Sequence, residues 1–199
     1  ARFYPRGRYA GSVFSRLPAA QLPPAGAEIV VTVGTSDRPF TRLLRWLDEL
    51  GDCGELPAPL YVQHGASAAP RRFAGSAFLP APELEARLGR ARLVICHAGA
   101  GALGTCIKYG LRPLVVPRLA RYGEAVNDHQ LELATALAAQ GQAVLCRDRA
   151  ALGAALRAAL AQPQGGRVMG GSAGSGELVG ELAALLARLA AARGKSLGG

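Results

Sequence analysis

The chain has 199 residues, half of them hydrophobic and 19% charged, with 26 Gly and 13 Pro; it is long enough to bury a core without disulfides and too apolar for a wholly disordered tail. Its 23 basic and 14 acidic residues give a formal net charge of +9. The basic residues are nearly all Arg, with Lys only at 108 and 195, so the excess fits a phosphorylated substrate, an anionic membrane surface or nucleic acid, and equally a plain Arg-rich composition. Cys53, Cys96, Cys106 and Cys146 form no CxxC pair and no zinc pattern, which predicts four reduced thiols, a cytoplasmic protein and no metal site.

Residues 1–28 are dense in Pro and Gly, end in Gln21-Leu-Pro-Pro-Ala-Gly26, and show no sustained period; they read as a lead-in or linker. Having no initiating Met, the chain reads as a piece of something longer. An α/β domain is predicted over 29–162. Glu28 to Val33 is a β-branched strand closed by Gly34-Thr35-Ser36, and Phe40, Leu43, Leu44 and Leu47 follow at helical spacing. Pro59 to Gln63 reads as a strand, Ala74 to Leu79 as a weaker one, and Glu83 to Arg90 as a short helix.

Leu93 to Cys96 is a buried strand running into His97-Ala-Gly-Ala-Gly101 and a helix to Tyr109. Leu114 to Pro117 is a strand, Asn127 to Gln140 a helix, Ala143 to Cys146 a strand and Ala150 to Leu160 a helix. Strands alternating with helices predict an α/β fold, a Rossmann-like parallel sheet with helices on both faces. A Gly-rich connector over 163–176 and a C-terminal helix and tail over 177–199 complete the chain. No stretch approaches the ~20 apolar residues that span a bilayer.

In such a sheet, ligands sit beyond the carboxyl ends of the strands. Three loops there carry distinctive residues. Gly34-Thr35-Ser36-Asp37 offers amides and hydroxyls to a phosphate, or is a tight turn capped by Ser36 or Asp37. In His97 to Gly101, small residues bring amides close to a ligand at a helix start; Gly99, Gly101 and Gly104 also fit GxGxxG, but the next strand ends in Arg118 and not in the acid that grips a ribose. Between Arg118 and Gln130, Asn127 and Gln130 fit a helix cap with its reciprocal partner, while Glu124, Asn127, Asp128, His129 and Gln130 together suit a polyhydroxylated ligand.

Val31-Thr-Val-Gly-Thr35 with Pro39-Phe40, Leu93-Val-Ile-Cys-His-Ala-Gly-Ala-Gly101, and Val115-Val-Pro-Arg118 through Tyr122-Gly-Glu and Asn127-Asp-His-Gln130 together resemble the C-terminal half of family 28 glycosyltransferases. The likeness covers roughly residues 29–160 and implies one half of a GT-B glycosyltransferase, similar to the dolichol-linked GlcNAc transferase subunit and to bacterial exopolysaccharide transferase subunits. It implies a UDP-sugar as substrate, no cofactor, and a diphosphate facing Gly34, Thr35, Ser36 and the loop His97, Ala98, Gly99, Ala100 and Gly101. The backbone at Phe78 and Leu79 would read the base, and Asn127, Asp128, His129 and Gln130 would hold the sugar, beside Arg118. Relatives place a ribose-binding Glu where this chain has Thr105, and Glu124 is the candidate substitute.

The lead-in from Tyr4 to Phe14 is similar to the tail of the membrane-associated partner that supplies the acceptor side. The expectation is a half-enzyme, peripheral at the inner face of the membrane through that partner, acting in polysaccharide or glycolipid synthesis on a lipid-diphosphate-linked acceptor. Its catalytic base would lie on the partner half, with His97 and Asp37 as local candidates. The rivals are an NAD(P)-binding domain using Gly99, Gly101 and Gly104, and a phosphate- or nucleic-acid-binding module; the latter lacks an aromatic stacking platform, with 6% aromatic residues, and no nucleic-acid partner is expected.

Overall fold

The computed structural model describes residues 28–56, 59–163 and 165–167. The lead-in before Glu28, most of the Gly-rich connector and the C-terminal helix therefore lie outside the described residues. The elements run β1 (Ile29–Thr32), α1 (Thr41–Asp52), β2 (Leu60–Gln63), β3 (Ala74–Ser76), α2 (Ala81–Arg90), β4 (Leu93–Cys96), α3 (Ala100–Lys108), β5 (Leu114–Val115), α4 (His129–Ala139), β6 (Val144–Leu145) and α5 (Arg149–Leu160). A single 3-10 turn, Ala120–Tyr122, lies between β5 and α4.

The six strands form one sheet in the order β3-β2-β1-β4-β5-β6, and every pairing is parallel. Alternate residues of a strand point to opposite faces, so this sheet builds two cores. Ile29, Val31, Leu93 and Ile95 pack with α1 and α5 through Leu43, Leu47, Leu152 and Leu156. Val30, Val94 and Cys96 pack with α2, α3 and α4 through Leu88, Leu103, Leu133 and Leu137. The predicted Rossmann-like sheet with helices on both faces is the observed one.

Each predicted element within the described residues is present, with shifted ends. α2 opens at Ala81, two residues before its predicted start, because Pro82 sits in the first turn where its missing N–H costs nothing. The helix predicted from Asn127 begins at His129, and the Asn127–Gln130 cap does not form. Gln130 Oε1 instead accepts from the Arg118 amide at 3.1 Å, Asp128 Oδ1 accepts from the Ala120 amide at 2.8 Å, and Asn127 Oδ1 reaches only the His129 amide at 3.4 Å. The loop after β5 has drawn the capping side chains into itself.

Among the described residues no helix is long and apolar enough to cross a membrane, and no group of three or more His, Cys, Asp or Glu gathers to hold a metal. Cys96, Cys106 and Cys146 are buried free thiols and Cys53 is exposed.

Candidate functional site

Because β1, β4 and β5 are neighbours in the sheet, the loops after them lie side by side at its carboxyl edge. The winding reverses between β1 and β4, the place where open parallel sheets leave a crevice.

The loop after β1 is held from below by two buried polar side chains. Thr32 Oγ1 donates to Gln63 Oε1 at 2.6 Å and accepts from the Gly34 amide at 3.2 Å. Gln63 Nε2 donates to the Gly34 carbonyl at 3.1 Å and to the Ala77 carbonyl at 2.8 Å. That single amide group ties the loop to the segment carrying exposed Phe78 and half-buried Leu79. Gly34 has φ +79, which a side chain would strain.

Neither Ser36 nor Asp37 caps α1. Ser36 Oγ accepts from the Arg38 amide at 3.1 Å, the helix starts only at Thr41 with no side-chain cap, and the Phe40 amide donates to buried Ser67 Oγ at 2.7 Å. Thr35 and Asp37 are exposed.

The loop after β4 is a sharp junction. Gly99 takes the N-cap position of α3, no side chain caps the helix, and its first turn holds no acid. The leading amides of a helix have no partner within it, so α3 presents bare N–H groups and the positive end of its dipole. Nothing lies within 4 Å of where a Cβ on Gly101 would stand. Ala98 is buried beneath this mouth, and Ala100 is half-buried within it. Thr105 turns its hydroxyl back to the Gly101 carbonyl at 3.0 Å, so this side chain is bonded to its own helix and offers no carboxylate to a ribose.

His97 stands between the first two loops. Its amide donates to the Thr32 carbonyl at 3.3 Å, and its buried Nδ1 has no protein partner. Burial, reinforced by the charge of Arg118, lowers its pKa to about 4, so the ring is neutral at pH 7.

Two arginines hold the shape of the third loop, Arg118 from within it and Arg42 from α1. Arg118 is 1% exposed and donates to the carbonyls of Arg38 at 2.8 Å, Glu124 at 3.2 Å and Val33 at 2.8 Å. Burial lowers its pKa from the usual guanidinium value, yet the group stays charged at neutral pH. Glu124 is 4% exposed; it accepts from Arg42 Nε at 2.9 Å and Nη2 at 2.8 Å, and from the Leu119 amide at 3.1 Å. Arg42 also donates to the Pro117 carbonyl at 2.8 Å and lies between the rings of Trp46 and Tyr122, 4.7 and 4.9 Å from their centroids.

Phe40 is flanked by both guanidiniums, Arg118 at 4.7 Å and Arg42 at 5.3 Å. Arg118 and Glu124 thus face inward, whereas exposed Asp128 and the half-buried side chains of Asn127, His129 and Gln130 remain at the loop's end; His129 Nδ1 also pairs with Glu132 at 3.0 Å. Sequence reasoning singled out neither Arg42, Gln63 nor Ser67. The one local signal was Gln63, a polar residue closing a buried strand.

Residues 74–166, from β3 through the bare helix mouth to just past α5, match the glycosyltransferase family 28 C-terminal domain. Over that segment, just under half of the chain, the sequence is similar to a family 28 C-terminal domain. A Desulforudis audaxviator (strain MP104C) UDP-N-acetylglucosamine–N-acetylmuramyl-(pentapeptide) pyrophosphoryl-undecaprenol N-acetylglucosamine transferase is 42% identical over 79 residues, 40% of this chain and 20% of that protein. Acinetobacter baumannii MurG superposes on 70% of this chain and 42% of its own, with TM-score 0.50 and 24% identity. The glycotransferase of kitacinnamycin covers 90% of this chain and 44% of its own, with TM-score 0.51 and 19% identity. The family 28 domain has the fold of one half of a GT-B glycosyltransferase, and the chain spans from a fifth to under half the length of these relatives.

Proposed function

We propose that this chain is the donor-binding half of an inverting glycosyltransferase, which moves a sugar from a UDP-sugar to a lipid-diphosphate-linked acceptor in polysaccharide or glycolipid synthesis. The observation that carries the reading is the uncapped start of α3, open at Gly101 and flanked by the Gly34 loop, within a family 28 domain. The relative's donor and its pyrophosphoryl-undecaprenol acceptor give the chemical classes.

In this reading the amides at the head of α3 and around Gly34, Thr35 and Ser36 receive the diphosphate. Charge grows on that group as the anomeric bond breaks, so fixed donors favour the transition state over the bound donor. The backbone at Phe78 and Leu79, held through Ala77 and Gln63, reads the base. Asn127, Asp128, His129 and Gln130 hold the sugar, and Arg118 and Glu124 support the loop that carries them. Inversion needs a base at the acceptor hydroxyl. A ring with a pKa of about 4 is a weak proton acceptor at neutral pH, so the base is assigned to the partner half, with exposed Asp37 as the local carboxylate to test. That membrane-associated partner supplies the acceptor side and brings the chain to the inner face of the membrane.

Calorimetry tests the donor site. UDP is expected to bind at least about tenfold more tightly than UMP, because each charge-assisted hydrogen bond is worth ~1.5 to 3 kcal/mol. Equal binding of uridine and UDP rejects the site, and tight NADPH binding replaces the proposal with a dinucleotide domain. Transfer to a lipid-diphosphate acceptor is expected only when the partner half is added, since the acceptor must be held in line with the anomeric carbon. Full turnover by the chain alone would reject the half-enzyme.

A further inference from the structure

Gly34 and Gly99 belong to different loops, 65 positions apart, yet the same atoms stand where their side chains would be. A Cβ on Gly34 would overlap Cε1 and Nε2 of His97, and a Cβ on Gly99 would overlap Nε2, Cε1 and Cδ2 of the same ring. At Gly34 the backbone already favours glycine, with φ +79. At Gly99 it does not: φ −88 and ψ 135 are open to any residue. The three atoms nearest a Cβ at position 99 all belong to the imidazole.

The ring is also tied to the first loop through its own main chain. The His97 amide donates to the Thr32 carbonyl, and the Thr32 hydroxyl accepts from the Gly34 amide. Position 97 and Gly34 therefore hang from one residue, with the ring edge filling the gap between Gly34 and the N-cap of α3.

We propose that His97 is a positioning residue: its neutral imidazole is the spacer that sets the distance between the Gly34 loop and the head of α3, so that the amides of both converge on one diphosphate. The ligand in this assignment rests on the donor-binding reading above; the spacing does not. A neutral ring suits the role. Arg118, from the loop after β5, is the charged group bearing on it; Asp37 and Glu124 act on Arg118 in turn, and the first turn of α3 adds no acid. A protonated ring would meet a guanidinium across a partly desolvated gap.

The test is a cycle of Gly99→Ala, His97→Ala and the double variant, read by UDP calorimetry and thermal melting. Gly99→Ala is expected to lower the melting temperature and weaken UDP about tenfold, and His97→Ala to weaken UDP about fivefold with a smaller change in melting, because contacting residues couple. In the double variant the added methyl enters the space the ring has left, so it melts above Gly99→Ala and binds UDP no worse than His97→Ala. Wild-type behaviour of Gly99→Ala, or additive losses in the double variant, would overturn the spacer.

A second readout separates a neutral spacer from a charged ligand-binding histidine. The affinity of His129→Gln, which lacks the other histidine of the donor site, for UDP-N-acetylglucosamine, whose doubly esterified diphosphate does not titrate there, is expected to stay flat between about pH 5.5 and 8, and the His97 ring resonance to show no protonation above about pH 5. Tighter binding as the pH falls, with ring titration near the ordinary histidine value, would overturn it. Should UDP bind none of the proteins, wild type included, the donor reading fails, and the melting cycle with the ring resonance decides the spacer alone.

Discussion

Between β4 and α3 the chain turns from strand to helix in three residues, 97–99, and leaves the helix amides bare. Between β5 and α4 it takes thirteen, 116–128, and turns many of its polar groups on itself. Arg118 reaches three carbonyls, Glu124 grips Arg42 and the Leu119 amide, and Asp128 and Gln130 bond loop amides. The first of these two loops is short enough for strand and helix to fix its shape, so no side chain is needed at the leading helix amides. The second cannot hold its shape unaided and uses buried charge and the side chains of Asp128 and Gln130 to do so.

The sharpest way to break the contrast is to remove its buried ion pair. Glu124→Ala leaves Arg42, whose side chain is 9% exposed, without its partner, and is expected to cost about 3 kcal/mol of stability, since an uncompensated buried charge is severe. Chemical denaturation measures this, and a loss under about 1 kcal/mol would show the second loop to be self-supporting.

Gly101→Val attacks the other plan. With open space at that position, melting should hardly change, while UDP affinity falls about 30-fold, or about 2 kcal/mol, as the side chain fills the ligand's place. Unchanged affinity would make the small residues a packing feature.

Acid distinguishes the loops through His97. The native ring stays neutral down to about pH 4, while the unfolded chain takes up its proton near pH 6.5, so the unfolded state binds more protons in between and stability rises with pH across that window. From pH 7 to pH 5 the loss is expected to be about 2 kcal/mol, and to shrink in His97→Asn; an equal loss in both would place the acid sensitivity elsewhere.

The smallest effect belongs to Gln130→Ala. Its Oε1 holds the Arg118 amide, so stability should fall by ~1 kcal/mol. Beyond that shared term, an intact UDP-sugar should lose ~0.5 to 1.5 kcal/mol more affinity than UDP. Equal binding losses for both ligands would leave Gln130 as a loop support only.

The junction after β4 was the more legible in sequence, because its signals are local: an apolar run, then His97, then small residues. The strand and helix order was legible for the same reason. The architecture of the second loop was not. Arg42 and Glu124 are 82 positions apart and Arg118 lies 85 from Val33, so nothing near either end shows that the guanidiniums turn inward. Asn127 and Gln130 have the spacing of a cap, and only the neighbouring Arg118 amide explains why Gln130 bonds elsewhere. Ser67 as the partner of the Phe40 amide is likewise a contact between distant segments.

The order of the sheet has a consequence for the chain while it is being made. Of the six strands in the described residues, β1 leaves the ribosome before the other five and is one of the innermost in the finished sheet, flanked by β2 and by β4, which starts at Leu93. Until β4 emerges, Ile29, Val30 and Val31 offer an apolar, hydrogen-bonding edge on one side, open to any other nascent chain. A fragment ending before Leu93 would therefore precipitate instead of folding as a smaller sheet, and slow translation between β3 and β4 would lengthen the interval in which the growing chain needs a chaperone.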